Sequence, residues 1–266
     1  MISVVICTFN RKEYLEKAIE SIVNQTLNPE LFELIIVNNN SSDGTGELVN
    51  KKFSALPFKL KYIIEKEQGL SACRNTGFRN ATFKYIAYID DDGTASENWL
   101  ENILLLIESV NDKDFAGAGG HVFPIWEIPI PWWLVPGIQQ YYSVFNLADK
   151  QFILSVKSKR TLPGCNIFYL KSVLEKYGGF NTKLGRNTDK LISGEETFLN
   201  KAIINDGYKL IYEPNIQIKH HIPRSRIKFS WLLSRSFWGG YSNFYMNYLE
   251  NNLNFINNIK IFINSI

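Results

Sequence analysis

The chain has 266 residues, enough for one large α/β domain with or without an appended subdomain, and its 45% hydrophobic and 21% charged residues supply a full core. A formal net charge of +3 is too small to argue for nucleic acid as a partner. Three distant cysteines (Cys7, Cys73, Cys165) have no metal spacing, no apolar run approaches the ~20 residues of a membrane span, and the N-terminus enters a strand without a leader, so a cytosolic protein is expected.

In chain order, residues 2–9 form an apolar run of strand length. After Asn10 and Arg11 a helix follows, with Leu15, Ala18, Ile19, Ile22 and Val23 on one face. Leu34 to Val37 is a second strand, ended by a cluster of turn residues from Asn38 to Gly44, and a helix is expected from about Thr45 to Phe53. Lys59 to Ile64 is a third strand. The stretch from Gly69 to Gly77 opens another helix, with Ser71 as its N-cap. Tyr85 to Ile89 is a buried strand that ends in Asp90, Asp91 and Asp92, and a helix from about Ser96 carries Trp99, Leu100, Ile103, Leu104 and Ile107.

Strands alternating with helices imply a mostly parallel sheet with helices on both faces, in which ligands bind at the carboxyl ends of the strands. The polar clusters at Thr8–Arg11, at Asn38–Asp43 and at Asp90–Asp92 all lie at such ends. Three adjacent carboxylates need a compensating cation or hydrogen-bond donors, and hard oxygen ligands suit Mg²⁺ or Mn²⁺. An acidic turn capping the next helix is the alternative. No GxGxxG follows the first strand, which argues against a dinucleotide.

Beyond Gly120 the pattern loosens. The segment from Pro124 to Pro136, rich in proline and tryptophan, reads as a non-helical loop with exposed aromatics, either a plug over the core or a surface for a sugar ring or a membrane interface. Pro163 to Tyr169 reads as a strand entered from a tight turn. Gly194-Glu195-Glu196 opens a helix, where the macrodipole alone favours acidic residues. In the strand ending at His220, period-2 alternation puts Ile216, Ile218 and His220 on one face, with Lys219 and His221 on the other. Arg224, Arg226, Lys228 and Arg235 form a basic run, either a solvated face or a patch beside a diphosphate.

Taken together, the opening Ser3-to-Arg11 stretch, the Asn39-to-Thr45 turn, Gly69-to-Asn75, Asp90-Asp91-Asp92, Gly194-Glu195-Glu196 and His220-to-Arg226 resemble, in order, a family 2 glycosyltransferase of GT-A fold. The resemblance implies inverting transfer of a sugar from a nucleotide-diphosphate donor, a UDP-sugar first, to an acceptor hydroxyl. By that resemblance Asp92 and His220 hold Mn²⁺ or Mg²⁺, Glu196 is the general base, and Glu195 binds the acceptor or orients the loop. Thr8, Phe9, Asn10, Arg11, Asn38, Arg74, Asp90 and Asp91 serve the nucleotide. Glu196 stands where the family usually has Asp, and Asn38 where it usually has an Asp that reads the base.

Trp132, Trp133 and His221 are the acceptor-side candidates, and the acceptor is expected to be a glycan or lipid-linked glycan in surface polysaccharide assembly. The expected division is a nucleotide-sugar half over 1–120, an acceptor and catalytic half over 121–222, and a helical aromatic tail over 223–266. The tail can lie on the cytoplasmic face of a membrane or join two copies. Two other readings remain at this level: a nucleotidyltransferase, and a non-catalytic nucleotide-sugar or glycan-binding protein.

Overall fold

The computed structural model describes residues 1–155, 160–187 and 190–250. In chain order its elements are β1 (Ile2–Thr8), α1 (Lys12–Val23), β2 (Phe32–Asn38), α2 (Thr45–Lys52), β3 (Lys59–Ile64), α3 (Leu70–Arg79), β4 (Tyr85–Ile89), β5 (Gly93–Ala95) and α4 (Trp99–Ser109). The second half contributes β6 (Phe115–Trp126), β7 (Phe152–Ile153), β8 (Asn166–Leu170), α5 (Lys171–Tyr177), α6 (Glu195–Asn205), β9 (Lys209–Ile222) and α7 (Phe229–Leu249).

One nine-stranded sheet runs in the order β3-β2-β1-β4-β8-β6-β9-β5, with β7 on the side of β9. The first four strands are parallel. β8 then enters antiparallel to both β4 and β6, whereas β6 and β9 are parallel. The parallel expectation therefore describes the N-terminal half, and the second half is mixed. β1 is buried along its whole length, and its side chains alternate between two cores. Ile2, Val4 and Ile6 face Leu15, Ile19 and Ile22 of α1 and Trp99 and Ile103 of α4. Val5 and Cys7 face Cys73 and Phe78 of α3, with Leu174 of α5 and Leu199 of α6 in the same core. This two-sided burial explains the continuous apolar run.

Some local expectations need correction. Ser71 does not cap α3: Gly69 precedes the helix, and Ser71 Oγ donates to the Leu184 carbonyl at 2.7 Å. α4 starts at Trp99 rather than Ser96, because Gly93–Ala95 pairs antiparallel with β9 and Ser96 Oγ donates to the Gln217 carbonyl at 3.0 Å. The Trp-rich segment is only partly a loop. β6 extends through Pro124 to Trp126, and a 3₁₀ helix spans Pro136–Tyr142. The segment 251–266, where self-association or membrane contact through the tail was expected, lies outside the described residues.

Where the two halves of the sheet meet, Asn166 is fully buried. Its Oδ1 accepts the Trp99 indole N–H at 2.9 Å, and its Nδ2 donates to the carbonyls of His121 (3.0 Å) and Ile216 (2.8 Å). Asn166→Leu keeps roughly the same volume but leaves the Trp99 donor unpaired, so we expect a loss of about 2–4 kcal/mol. Urea unfolding followed by circular dichroism measures it, and an unchanged midpoint would show that this network contributes no net stability.

Candidate active site

Parallel strands put their carboxyl ends on one edge of the sheet. There, the residues after β1 and β4, the end of β9, α3 and the N-terminus of α6 surround a cavity of about 380 Å³. At the end of β4, Asp91 and Asp92 are buried. Arg11 Nη1 donates to Asp91 Oδ1 at 3.0 Å and to Asp92 Oδ2 at 2.8 Å, and Thr8 Oγ1 donates to Asp91 Oδ2 at 2.9 Å. Arg226 Nη2 lies 3.3 Å from Asp92 Oδ2.

Burial pushes Asp91 up to about 6 against the pull of Arg11, with Asp92 adding to the rise. Burial acts on Asp92 too, but His220, Arg11 and Arg226 outweigh it and hold that carboxyl well below the usual range.

β9 carries His220 to the same point, because Gly93 pairs with His220 across β5. His220 Nε2 is 3.2 Å from Asp92 Oδ1 but out of hydrogen-bond alignment, so that oxygen and His220 Nδ1 are both buried without hydrogen-bond partners. An orphaned carboxylate oxygen beside an imidazole fits a divalent cation, with Mn²⁺ accepting the nitrogen more readily than Mg²⁺. Among the described residues no three His, Cys, Asp or Glu side chains form a cage.

On the opposite wall, α3 presents a buried Arg74. Its Nη1 donates to Glu195 Oε1 at 2.7 Å, and its Nη2 to Asp90 Oδ1 at 3.1 Å and the Gly164 carbonyl at 3.0 Å. Burial opposes the charge on Arg74, yet Asp90, Glu195 and Glu196 raise its pKa above the ordinary value. Glu195 and Glu196 open α6 because Gly194 adopts φ +94° and turns the chain into the helix. A Cβ at Gly194 would stand 2.7 Å from Met246 Sδ, so α7 packs directly on this turn. Glu196 has no ion-pair partner among the described residues. Burial and the Glu195 charge push it up to about 8, with Arg74 pulling the other way.

The cavity gathers Thr8, Phe9, Arg11, Arg74, Asp90, Asp91, Asp92, Glu195, Glu196 and His220 of the residues singled out from sequence. The other candidates lie elsewhere. Asn10, with φ 52°, accepts from the Ser42 amide at 2.8 Å and braces one loop against the next. Asn38 spends both ends of its amide, donating to Tyr62 Oη at 2.5 Å and accepting from the Ser41 amide at 2.8 Å. Its neighbour Asn39 lines the cavity instead. His221 points to the other face of β9, 3.2 Å from Thr94 Oγ1. Trp132 is 92% exposed and Trp133 packs on Phe229, while Trp231 of α7 lines the cavity. The basic run divides: Arg226 and Arg235 line the cavity, and Arg224 and Lys228 are exposed. Arg186, which no periodicity or motif marks, lines it as well.

The sequence profile described as "Glycosyl transferase family 2" matches residues 3–178, more than half of the chain. The chain belongs to glycosyl transferase family 2. Among curated relatives of this family 2 glycosyltransferase, "Glucosyl-dolichyl phosphate glucuronosyltransferase" of Haloferax volcanii is 29% identical over 93% of this chain and 78% of its own length. "Glycosyltransferase AglE" of the same organism is 27% identical over 81% of this chain, which spans 65% of that relative. Among solved structures, S. aureus TarS 1-349 in complex with UDP-GlcNAc superposes with TM-score 0.67 at 14% identity, over 99% of this chain and 72% of that one. Mannosyltransferase PcManGT from Pyrobaculum calidifontis, in complex with GDP-Man and Mn²⁺, gives TM-score 0.65 at 20% identity, over 89% and 61%. These likenesses identify the fold as GT-A.

The raised pKa of Glu196 carries a stability consequence with a definite sign. Below the ordinary value near 4.5 the group is protonated in both folded and unfolded chains, and it contributes nothing to the difference. Between there and about 8 the unfolded chain releases the proton while the fold retains it, so stability is lost progressively as pH rises. Glu196→Gln removes that loss. In metal-free protein its melting temperature should match wild type near pH 4.5 and exceed it by a few degrees above pH 8; a gap independent of pH would show that Glu196 is not held protonated.

Proposed function

We propose that the chain transfers a sugar, with inversion, from a nucleoside diphosphate donor to an acceptor hydroxyl, and that Glu196 is the base. The observation that carries this is the separation of charge across one cavity: a strongly ionised Asp92 beside His220 on one wall, and an unpaired Glu196 on the other. Asp92 and His220 would hold the divalent ion, Mn²⁺ or Mg²⁺. When bound, it stabilises the negative charge that develops on the leaving diphosphate.

The chain's own residues supply the rest. Arg11 and Arg226, already on Asp92, are positioned to turn to phosphate oxygens, for which the guanidinium fork is suited. Thr8 and Phe9 face the nucleoside end of the cavity. Arg74 holds Asp90 and Glu195 in place, and through Glu195 it sets the start of α6 on which Glu196 stands. Direct attack by the acceptor oxygen, with Glu196 taking its proton, breaks the anomeric bond to the diphosphate and inverts that carbon. With a pKa about 8 in the free protein, Glu196 is matched to a base working near neutral pH. A UDP-sugar is the first donor to test, since the TarS structure of the same fold binds UDP-GlcNAc.

The acceptor in this proposal is a glycan, free or lipid-linked, met at a membrane surface. Phe229, Leu233 and Phe237 recur every four residues on one face of α7, and are 57%, 57% and 46% exposed. Trp132 stands out nearby, beside Trp133, which touches Phe229. No Asp or Glu occurs between Glu213 and Glu250, and Arg224 and Lys228 are exposed just before α7, so the start of this face is apolar with basic residues beside it, as an anionic bilayer requires. From its other side α7 carries Trp231 and Arg235 into the cavity, so one helix joins the exposed apolar face to the site. No helix among the described residues is long and apolar enough to cross a membrane.

Two experiments test these points. In thermal-shift titrations UDP should stabilise wild type more with Mn²⁺ than without. Asp92→Asn should lose the metal-dependent part, whereas Glu196→Gln should keep it and lose turnover by about 10²–10⁴-fold. Metal-dependent binding with neither transfer nor donor hydrolysis in wild type would favour a non-catalytic binder. For the membrane contact, wild type should sediment with phosphatidylglycerol vesicles and Phe229→Ser/Leu233→Ser should not. Equal sedimentation of both would place the contact elsewhere.

A further inference from the structure

The charged groups around the cavity are five carboxylates (Asp90, Asp91, Asp92, Glu195, Glu196), five guanidiniums (Arg11, Arg74, Arg186, Arg226, Arg235) and His220. Their pairing is uneven. Arg11 and Arg226 sit on the aspartates, and Arg74 joins Asp90 to Glu195. Arg186 and Arg235 are in no ion pair among the described residues, and Arg235 Nε and Nη1 are buried with no hydrogen-bond partner.

The unpaired guanidiniums are also close enough to repel one another. Burial lowers the pKa of Arg186, and Arg235 and Arg11 lower it further. Arg235 is lowered by burial while Glu196 and Glu195 oppose the shift. Half-buried guanidiniums without partners, one with two nitrogens fully buried, are costly, and a fold that gathers them fits an anion that arrives with a ligand.

The donor diphosphate does not account for them. A divalent ion held by Asp92 and His220 would offset the charge of a diphosphate, and Arg11 and Arg226 already lie at that position. Arg186 and Arg235 remain. Arg186 lies between Arg235 and Arg11, and Arg235 lines the cavity with Glu196 and Glu195 as its leading charged neighbours, on the side of the proposed base. Trp231, one helical turn before Arg235 on α7, lines the same wall and offers an aromatic surface next to the cations.

We propose that Arg186 and Arg235 form a second anion site, distinct from the donor diphosphate, that binds a phosphate group carried by the acceptor close to its attacking hydroxyl. The substrate class is then a phosphorylated sugar, either a soluble sugar phosphate or a sugar joined through phosphate to a lipid. Paired guanidiniums match phosphate oxygens in a way that a lysine pair does not. The assignment deepens the proposed activity and rests on it for which side of the cavity faces the acceptor.

Calorimetric titration decides it, with protein saturated in UDP and Mn²⁺ and with glucose 1-phosphate, octyl phosphate or inorganic phosphate as the probe. Wild type should bind at least one organic phosphate. Arg235→Gln and Arg186→Gln should each weaken that binding at least tenfold while changing UDP affinity less than twofold, and Arg235→Lys should be intermediate. Tighter binding of octyl phosphate assigns a lipid source, and tighter binding of glucose 1-phosphate a soluble one. An equal loss of UDP affinity would assign both arginines to the donor and overturn the proposal. So would organic phosphates that bind wild type and the glutamine variants alike, or not at all. If wild type binds no nucleotide, the donor chemistry fails. The same titration on nucleotide-free protein then decides the site by the same criterion, provided that the variants melt cooperatively near the wild-type temperature.

Discussion

The structure depends on how three consecutive carboxylates are accommodated at the buried end of one strand. Two like charges about 4 Å apart repel by roughly 4 kcal/mol at the effective dielectric of a protein surface, and more when buried. β4 ends in three. Cations reach them from three parts of the chain, Arg11 after β1, Arg74 from α3 and Arg226 beyond β9, and His220 at the end of β9 stands beside Asp92. Residues more than a hundred positions apart in sequence thus meet on one charged cluster. The long antiparallel excursion through β8 and β6 lies between them, so the parallel half and the mixed half of the sheet must dock correctly before the aspartates are neutralised. The groups that make the site reactive also set the geometry of the domain.

What the sequence made legible was what local periodicity governs. β3 and β4 run over the residues expected of them, because continuous apolar runs between turn residues have one low-energy outcome in a parallel sheet. The site's acidic members were legible too, since each stands at the end of such a run or at the first turn of a helix. The failures share a different cause. β5 is three residues long and exists only because β9 is there to pair with it, so nothing near Gly93 announces it, and the start of α4 shifts with it. Ser71 was read as a cap from its position alone, but a tertiary carbonyl, that of Leu184, competed successfully for its hydroxyl.

Asn38 and Asn10 show the same competition at the site itself. Each sits where a strand end should meet a ligand, and each is consumed by the neighbouring loop, through Tyr62 and Ser41 in one case and Ser41 and Ser42 in the other. Amides carry donors and acceptors of both kinds and are easily absorbed into loop structure. Carboxylates and guanidiniums hold out for an opposite charge or several strong donors or acceptors, which a neutral loop supplies less often. The acidic and arginine candidates reached the cavity, together with Thr8 and Phe9, whereas the amides of Asn10 and Asn38 did not. Arg186 is the exception in the other direction: a cavity-lining charge in an irregular segment, invisible because position alone, not pattern, makes it functional.

Glu195 and Glu196 carry this logic to the chemistry. They are adjacent at a helix N-terminus, where the macrodipole favours negative charge at both, and sequence cannot tell them apart. Arg74 can. Its guanidinium bonds Glu195 at 2.7 Å and, on its other side, Asp90 and Gly164, and it makes no direct bond to Glu196. Buried and beside the Glu195 charge, Glu196 is the one pushed up to about 8. Two identical adjacent side chains thus meet different surroundings, because one cation bonds only the first of them.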